Sequence, residues 1–578
     1  MNSGPAPAGG AGPAEQARRR PTRRAVLITA AAAGGAAAAA AVIDAAWPLA
    51  FRGTAGRPAG AGHGGTASRG PRSAGPTAAD WAVLAGELSP APLVRPGEQG
   101  YGRARQLFDP RFDRLRPAGI AYCRSAADVS ACLAFARRFA LPVAARSGGH
   151  SYAGWSSGTG LIVDVTPMAS FRADGVAVRV GTGIRLIDFY AQLAARGLAV
   201  PGGSCPTVGI AGLALGGGVG VLGRALGLTC DNLTAAQIVT ADGRLLDCDS
   251  RRNADLFWAC RGGGGGNFGV ATSLTFGAHR LSALTLFFLS WPWSQAAQVV
   301  SGWQSWAPYQ GDELWSNLHL SAAPGTGVPL SVQVGGTFLG SPAEAAAALE
   351  KLTAAVGSAP SGEPFELPYL DAMLAEAGCG GRTAGQCHLP AQAPGGRLGR
   401  QPQFAKSDFV TRPLPPAGIA VLLAAAEQFL GIRAAAQATG AIAFDACGGA
   451  INRVHPAATA FVHRDALFLI QYTTTWAAGS RGGGAAGGAA ASGAAASGAA
   501  AGSVVNSGAA RQRDWQHALH ASMRPYVSGQ AYQNYIDPEL AGWRQAYYGA
   551  NYRRLARIKA AYDPGRLFRF PQGISPAR

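Results

Sequence analysis

Two glycine-rich loops, each carrying one nucleophilic side chain, constrain this chain more than any other feature. "ARSGGHSYAGWSSGTGLIVDV", residues 145–165, places His150 directly behind Gly148 and Gly149. Further along, "PGGSCPTVGIAGLALGGGVG", residues 201–220, holds a single cysteine, Cys205. Such loops expose backbone N–H groups, because glycine has no Cβ to hold another group away. They suit close approach to a phosphate group. The fingerprint G-x-G-x-x-G is absent from "ARSGGHS" and only loosely matched by "GLALGGGVG", and the regular βαβ repeats of a Rossmann sheet are missing. One such histidine is most simply an ordinary loop residue, and one such cysteine a small buried one. Two loops with one nucleophile each point instead to a ligand that both reach.

With 578 residues, the chain has room for a large core and two domains. Hydrophobic residues make up 48% and charged residues 14%, so the body is globular rather than disordered. The net charge of +18 is mostly arginine. It forms no stripe of basic residues interleaved with aromatics outside the N-terminus, which argues against a nucleic-acid partner. Nine cysteines contain no C-x-x-C pair, which argues against a zinc site or a redox dithiol, and no metal site is expected. Cys379 and Cys387 flank "CGGRTAGQC", and in an exported protein they could bridge; the sequence leaves that open.

The N-terminal "RRRPTRRAVLITAAAAGGAAAAAAVIDAAW" is an arginine-rich start followed by an Ala-rich, weakly apolar run. Arg23-Arg24 fits a twin-arginine signal over 1–50, which predicts the export machinery as a partner and a secreted or cell-envelope location. The run is too weakly apolar for a good stop-transfer anchor, although an uncleaved single span is the alternative. Twin-arginine export moves folded proteins, often with a cofactor in place. Residues 51–80 are a linker without periodicity.

Beyond it the expected class is α+β. "AGIAYCRSAADVSACLAFARRFALPVAARSGGHS" predicts strand, helix, strand, with the helix capped by Ser125 and burying Val129, Cys132, Leu133 and Ala136. Further β-runs follow to about residue 282. From 283 to 525, runs such as "LSVQVGGTFLG" and "DALFLIQYTTTW" alternate with Ala-rich helical segments, a pattern that suits an antiparallel sheet covered by helices. Residues 477–509 are low complexity and predict a disordered surface insertion.

An imidazole and a thiolate can each bond to an electron-poor ring, and the isoalloxazine of a flavin offers two positions, its 8α-methyl and C6. Six stretches in order strengthen this: "RSGGHSYAG", "GGSCPTVGIAG", "LTCDNLTAAQIVTADG", "DLFWACRGGGGGNFGVAT", "IQYTTTW" and "YQNYIDPEL...NYRRLARIKAAYDPGRLFRFPQGI". Together, over about 90–575, the chain resembles the berberine-bridge-enzyme-like branch of the FAD-linked oxidases, in the vanillyl-alcohol-oxidase superfamily with its PCMH-type FAD-binding domain. The resemblance implies FAD bonded to His150 through the 8α-methyl and to Cys205 through C6. It implies a split FAD domain over 81–282, completed by a returning segment, 526–578, around a substrate domain. The implied cofactor contacts are Arg146, Ser147, Gly148, Gly149, Ser151, Thr207, Val208, Gly209, Gly212, Gly269, Val270 and Asn534. The implied catalytic residues are Tyr535 as base, with Tyr532, Gln471 and Tyr152 beside it.

On this expectation, a base removes a hydroxyl proton while the adjacent C–H gives hydride to the flavin. A tyrosine, ordinarily near pKa of about 10, needs a cation or the site's field to act at neutral pH. Val208, three residues after the cysteine, is the residue that in relatives goes with oxidases, where leucine goes with dehydrogenases; it implies O2 as the acceptor. One departure is Leu213, where many relatives carry histidine. The expected function is therefore a secreted oxidase of an alcohol: a sugar, a glycoside or a secondary metabolite. A dehydrogenase of the same fold and a catalytically decayed flavin binder are the alternatives, and the pairing of Tyr535 and Gln471 with both linkage residues argues against decay.

Overall fold

Strand periodicity explains most of the architecture, because side chains on a strand alternate between two faces. The computed structural model describes residues 75–88, 90–323, 329–436, 438–476 and 497–577. The expected export signal, nearly all of the linker and residues 477–496 of the low-complexity run lie outside these.

The first layer is a four-stranded sheet of Leu93–Val94, Gly119–Tyr122, Leu161–Asp164 and Val143–Arg146, in that spatial order. The helix Ala126–Arg138 joins two of its parallel strands, and its N-terminus is closed by a capping box between Ser125 and Asp128. It buries Val129, Cys132, Leu133 and Ala136, as its spacing predicts. Leu161–Asp164 lies between the two strands this helix connects and pairs in parallel with both. Val143–Arg146 therefore ends at an edge, and its C-terminal end delivers Arg146 into the first glycine loop.

A second, antiparallel sheet runs Phe171–Asp174, Ala177–Gly181, Val270–Gly277, Leu233–Val239 and Leu245–Asp249. The C-terminal segment returns to these layers. Phe568 bridges Val143, and Ile574 N–H donates to Asn267 Oδ1 at 2.9 Å. Lys559, fully buried, donates to Asp563 Oδ2 at 2.6 Å and to the Phe568 carbonyl at 2.8 Å, and also reaches the Asn267 carbonyl.

The third layer is a seven-stranded antiparallel sheet: Phe365–Pro368, Ala283–Trp291, Leu330–Phe338, Leu314–Ala322, Ala438–Ala446, Phe468–Trp476 and Gln403–Val410. Alternation divides its central strands. Leu318, Leu320, Ile442, Phe444, Ile470 and Tyr472 turn to one face and pack with Trp303, Leu352, Phe429 and Trp515 from the covering helices. Each such aliphatic or aromatic side chain contributes about 1.5–3 kcal/mol on burial. The other face carries polar and small residues and turns toward the glycine loops. This is the α+β class and the helix-covered antiparallel sheet that the sequence predicts.

One element differs from expectation. Residues 497–509, read as part of a disordered insertion, open the long helix Ser497–Met523. Alanine favours helix strongly, and the later turns fix the helix by burying Trp515, Leu519 and Met523 at a spacing of four. Cys379 and Cys387 form a disulfide, with their Cα atoms 6.0 Å apart.

Candidate active site

The two glycine loops meet backbone to backbone. A Cβ on Gly148 would collide with the backbone of Gly209 and Thr207, and one on Gly209 would strike Ser147 and Gly148. Gly149 adopts φ +71°, a left-handed conformation that favours glycine. Ser147 Oγ fixes the first loop by donating to the Thr182 carbonyl at 2.7 Å. The ion pair Arg146 Nε–Asp164 Oδ2, at 2.5 Å and buried, fixes its start.

This crossing forms one wall of a cavity of about 800 Å³, and the polar face of the seven-stranded sheet forms another. Every cofactor and catalytic candidate named from the sequence lines it, from Arg146 to Tyr535.

His150 stacks on Phe108, with ring centres 4.1 Å apart. Its Nε2 lies 2.7 Å from Thr207 Oγ1, leaving Nδ1 as the ring nitrogen without a partner among the described residues. Burial, aided by the charge of Arg185, pushes its pKa down to about 3, so the imidazole is neutral. Cys205 is exposed to the cavity, while the surrounding protein raises its thiol pKa. Thr207 thus orients the histidine while the neighbouring cysteine stays open.

The Y-x-N-Y motif divides its work. The Tyr532 hydroxyl accepts from Gly218 N–H at 2.8 Å and from the Asn534 amide at 2.9 Å. Asn534 also donates to the Leu213 carbonyl at 3.0 Å, and Gln533 donates to the Gly216 carbonyl at 2.7 Å. Three of the four residues therefore clamp the second glycine loop. The oxygen of Tyr532, expected among the catalytic residues, is engaged by these donors. Tyr535 lines the cavity, and its hydroxyl makes no hydrogen bond among the described residues. Its ring runs parallel to that of Tyr152, centres 6.0 Å apart. Gln471 Nε2 donates to Tyr152 Oη at 3.2 Å.

The surroundings of Tyr535 differ from expectation. No cation lowers its pKa; burial, then Asp445, Tyr152, Tyr532 and Cys205, push it well above the ordinary value of about 10. The same burial raises Tyr152. Four polar residues that share this cavity escape a reading of the sequence: Asn317, His319, Asp445 and Glu376. Asn317 faces Asp445 across the central strand pair, and Gln471 faces Ala443 on the next. Burial holds the Asp445 carboxyl up at about 7 and His319 down at about 4. The signal for Asn317, His319 and Asp445 is their period-two placement in "WSNLHLS" and "AIAFDA".

Residues 117–249 match the FAD binding domain family, and residues 531–575 match the family "Berberine and berberine like". The uncharacterized FAD-linked oxidoreductase YgaK of Bacillus subtilis (strain 168) is 32% identical over 496 residues, which span 84% of this chain and 97% of that protein. The chain belongs to the berberine-bridge-enzyme-like FAD-linked oxidoreductases. It is also similar to a chitooligosaccharide oxidase of Gibberella zeae, 27% identical over 84% of this chain and 92% of the relative. The solved structure of BBE-like 1 from Physcomitrella patens superposes with TM-score 0.73 and 28% identity, over 86% of this chain and 99% of that one.

As a member of this family the protein binds FAD, and the residues fit the cofactor. The loop crossing leaves a cradle that Cβ atoms would fill, and Arg146 Nη1 is buried beside it without a partner among the described residues, suited to an anionic group. His150 and Cys205 present one nucleophile from each loop. Among the described residues no group of three or more His, Cys, Asp or Glu could hold a metal ion, and no helix is long and apolar enough to cross a membrane.

Proposed function

We propose that this FAD-linked oxidoreductase is an oxidase of an alcohol, with FAD held covalently by His150 and Cys205. The observation that carries the reading is the cavity itself, where both nucleophiles share one space with Asp445 and Gln471 of the polar sheet face and Tyr535 of the returning segment. FAD held by these residues would supply a hydride acceptor for the substrate's C–H and a two-electron donor that reduces O2 to H2O2. The similarity to a chitooligosaccharide oxidase supports an alcohol substrate: a sugar, a glycoside or a secondary metabolite.

The base is Asp445 rather than Tyr535. A general base works best with a pKa near the operating pH, and a carboxyl held up at about 7 meets that need. A phenol pushed well above 10 stays protonated and donates a hydrogen bond to the substrate instead. Gln471 orients Tyr152, and Ala441 and Ala443 keep the middle strand low so that substrate reaches Asp445.

The test is anaerobic mixing of holoenzyme with sugars and aromatic alcohols, followed by air. At least one alcohol should bleach the flavin, and air should restore it with release of peroxide. Bleaching by none of them, or reoxidation only by a quinone or dye, contradicts the oxidase reading. The Arg23-Arg24 pair supports twin-arginine export. Replacing both arginines with lysine should trap the protein inside the cell, and unchanged secretion would contradict that route.

A further inference from the structure

Glu376 closes the helix Tyr369–Glu376 and lines the cavity although it is 6% exposed. Its Oε1 is sealed from solvent and has no hydrogen-bond partner among the described residues. An unpaired buried carboxylate is costly unless a donor or cation meets it. Asp445 lines the same cavity, and its carboxyl likewise makes no hydrogen bond among the described residues, to Glu376 or to any other group.

No cation on the cavity lining acts on either carboxyl; Arg569, exposed on that lining, exerts no pull on Glu376 or Asp445. His319, on the sheet face beside Asp445, is held neutral by burial. Arg146, at the opposite wall, is paired with Asp164. Burial, then the charge of Asp445, raises the Glu376 carboxyl to about 8, and no cation pulls either carboxyl down. Two carboxyls thus line one cavity without a cation, and Glu376 keeps its proton near neutral pH until a cation meets it. Apart from Asp445, the sheet face toward the cavity carries no charged side chain, its histidine, His319, being neutral.

We propose that Glu376 is a specificity residue, and that the substrate of this site is an amino alcohol whose ammonium group fills the space between Glu376 and Asp445. The ammonium supplies the positive charge that lets Glu376 ionise and the donors for its unpartnered oxygen, while the neighbouring hydroxyl meets Asp445. This rests on the oxidase reading and narrows it to cationic alcohols. A neutral isostere leaves Glu376 unpaired and binds less tightly.

The experiment titrates FAD-loaded holoenzyme, without air, with two matched pairs: glucosamine against glucose, and 2-amino-1-phenylethanol against 1-phenyl-1,2-ethanediol. Perturbation of the flavin absorbance reads binding, and bleaching reads oxidation. In the unmutated protein at least one amine should bind roughly 10- to 100-fold tighter than its neutral partner, the scale of one hydrogen bond to a charged group. In Glu376→Gln that ratio should fall toward one. Equal affinities within both pairs, or a ratio that Glu376→Gln leaves intact, overturns the proposal. Preference for the amine without bleaching contradicts the oxidase reading and leaves the ammonium site standing. Bleaching without preference does the reverse.

Discussion

Burial is the first cause of the shifts of both Asp445 and Tyr535, two groups of one cavity, and the proposed roles follow from where it leaves each. Burial disfavours the charged form of both, lifting the carboxyl into the neutral range and the phenol far above it. Asp445→Asn should slow flavin reduction by roughly 10²-fold or more, the scale of a lost general base. The sign of the pH effect follows from the direction of the shift: the base must be ionised, so kcat/KM for a neutral alcohol should rise with pH through about 7 and then level. Asp445→Asn should remove that rise. Tyr535→Phe should keep it at a lower rate, and a stopped-flow profile in which Tyr535→Phe alone removes the rise would return the base role to the tyrosine. Val208 belongs to the same scale. Its carbonyl accepts from Leu186 N–H at 2.9 Å and its N–H donates to the Cys205 carbonyl at 3.3 Å, so the backbone there is held from both sides. An added methylene then has nowhere to go but the cavity. Val208→Leu should slow reoxidation by oxygen roughly tenfold, the scale of one overpacked site, with reduction unchanged. Equal reoxidation rates in a double-mixing experiment would place the oxygen path elsewhere.

Elements differ in how openly the sequence declares them. The loops were legible because two glycines beside a nucleophile bring backbone and side chain together onto a ligand, and the helix Ala126–Arg138 because its cap and apolar stripe agree. The polar residues of the sheet were not. Period-two alternation in "WSNLHLS" says that Asn317 and His319 share a face, but a face turned to solvent and one turned to a cavity look the same in sequence. Asp445 carries no mark in the sequence that separates it from any other strand acid. The helix Ser497–Met523 was hidden for a different reason: its Ala, Gly and Ser composition resembles a linker until Trp515 supplies the first large buried side chain. The returning C-terminal segment rests on Lys559, whose ammonium ties the helix Tyr552–Tyr562 to Asp563, Asn267 and Phe568. Lys559→Met removes that charge and leaves the buried Asp563 without its cation, held only by the Leu567 and Phe568 N–H groups. Breaking a buried pair in this way costs about 3–5 kcal/mol. Thermal unfolding should show a markedly lower Tm, and an unchanged Tm would mean that the segment is held by its apolar contacts alone.

At the scale of the whole molecule, three layers enclose one cavity, and the chain must leave and re-enter the first two to build it. The central strands of the seven-stranded sheet read as apolar on one face and polar on the other because helices cover the first and the cofactor site the second. A cofactor fixed by bonds from two loops would also lock those loops together, joining the segment around residue 150 to that around residue 205 more firmly than their backbone contact does. The most direct measurement is acid precipitation of the unmutated holoenzyme, followed by mass analysis of its peptides. The precipitate should stay yellow, and one flavin-bearing species should join the peptide containing His150 to that containing Cys205. His150→Ala and Cys205→Ala should each keep bound flavin, while the double variant should release it. Release of all the flavin from the unmutated protein into the acid supernatant would contradict attachment at both residues.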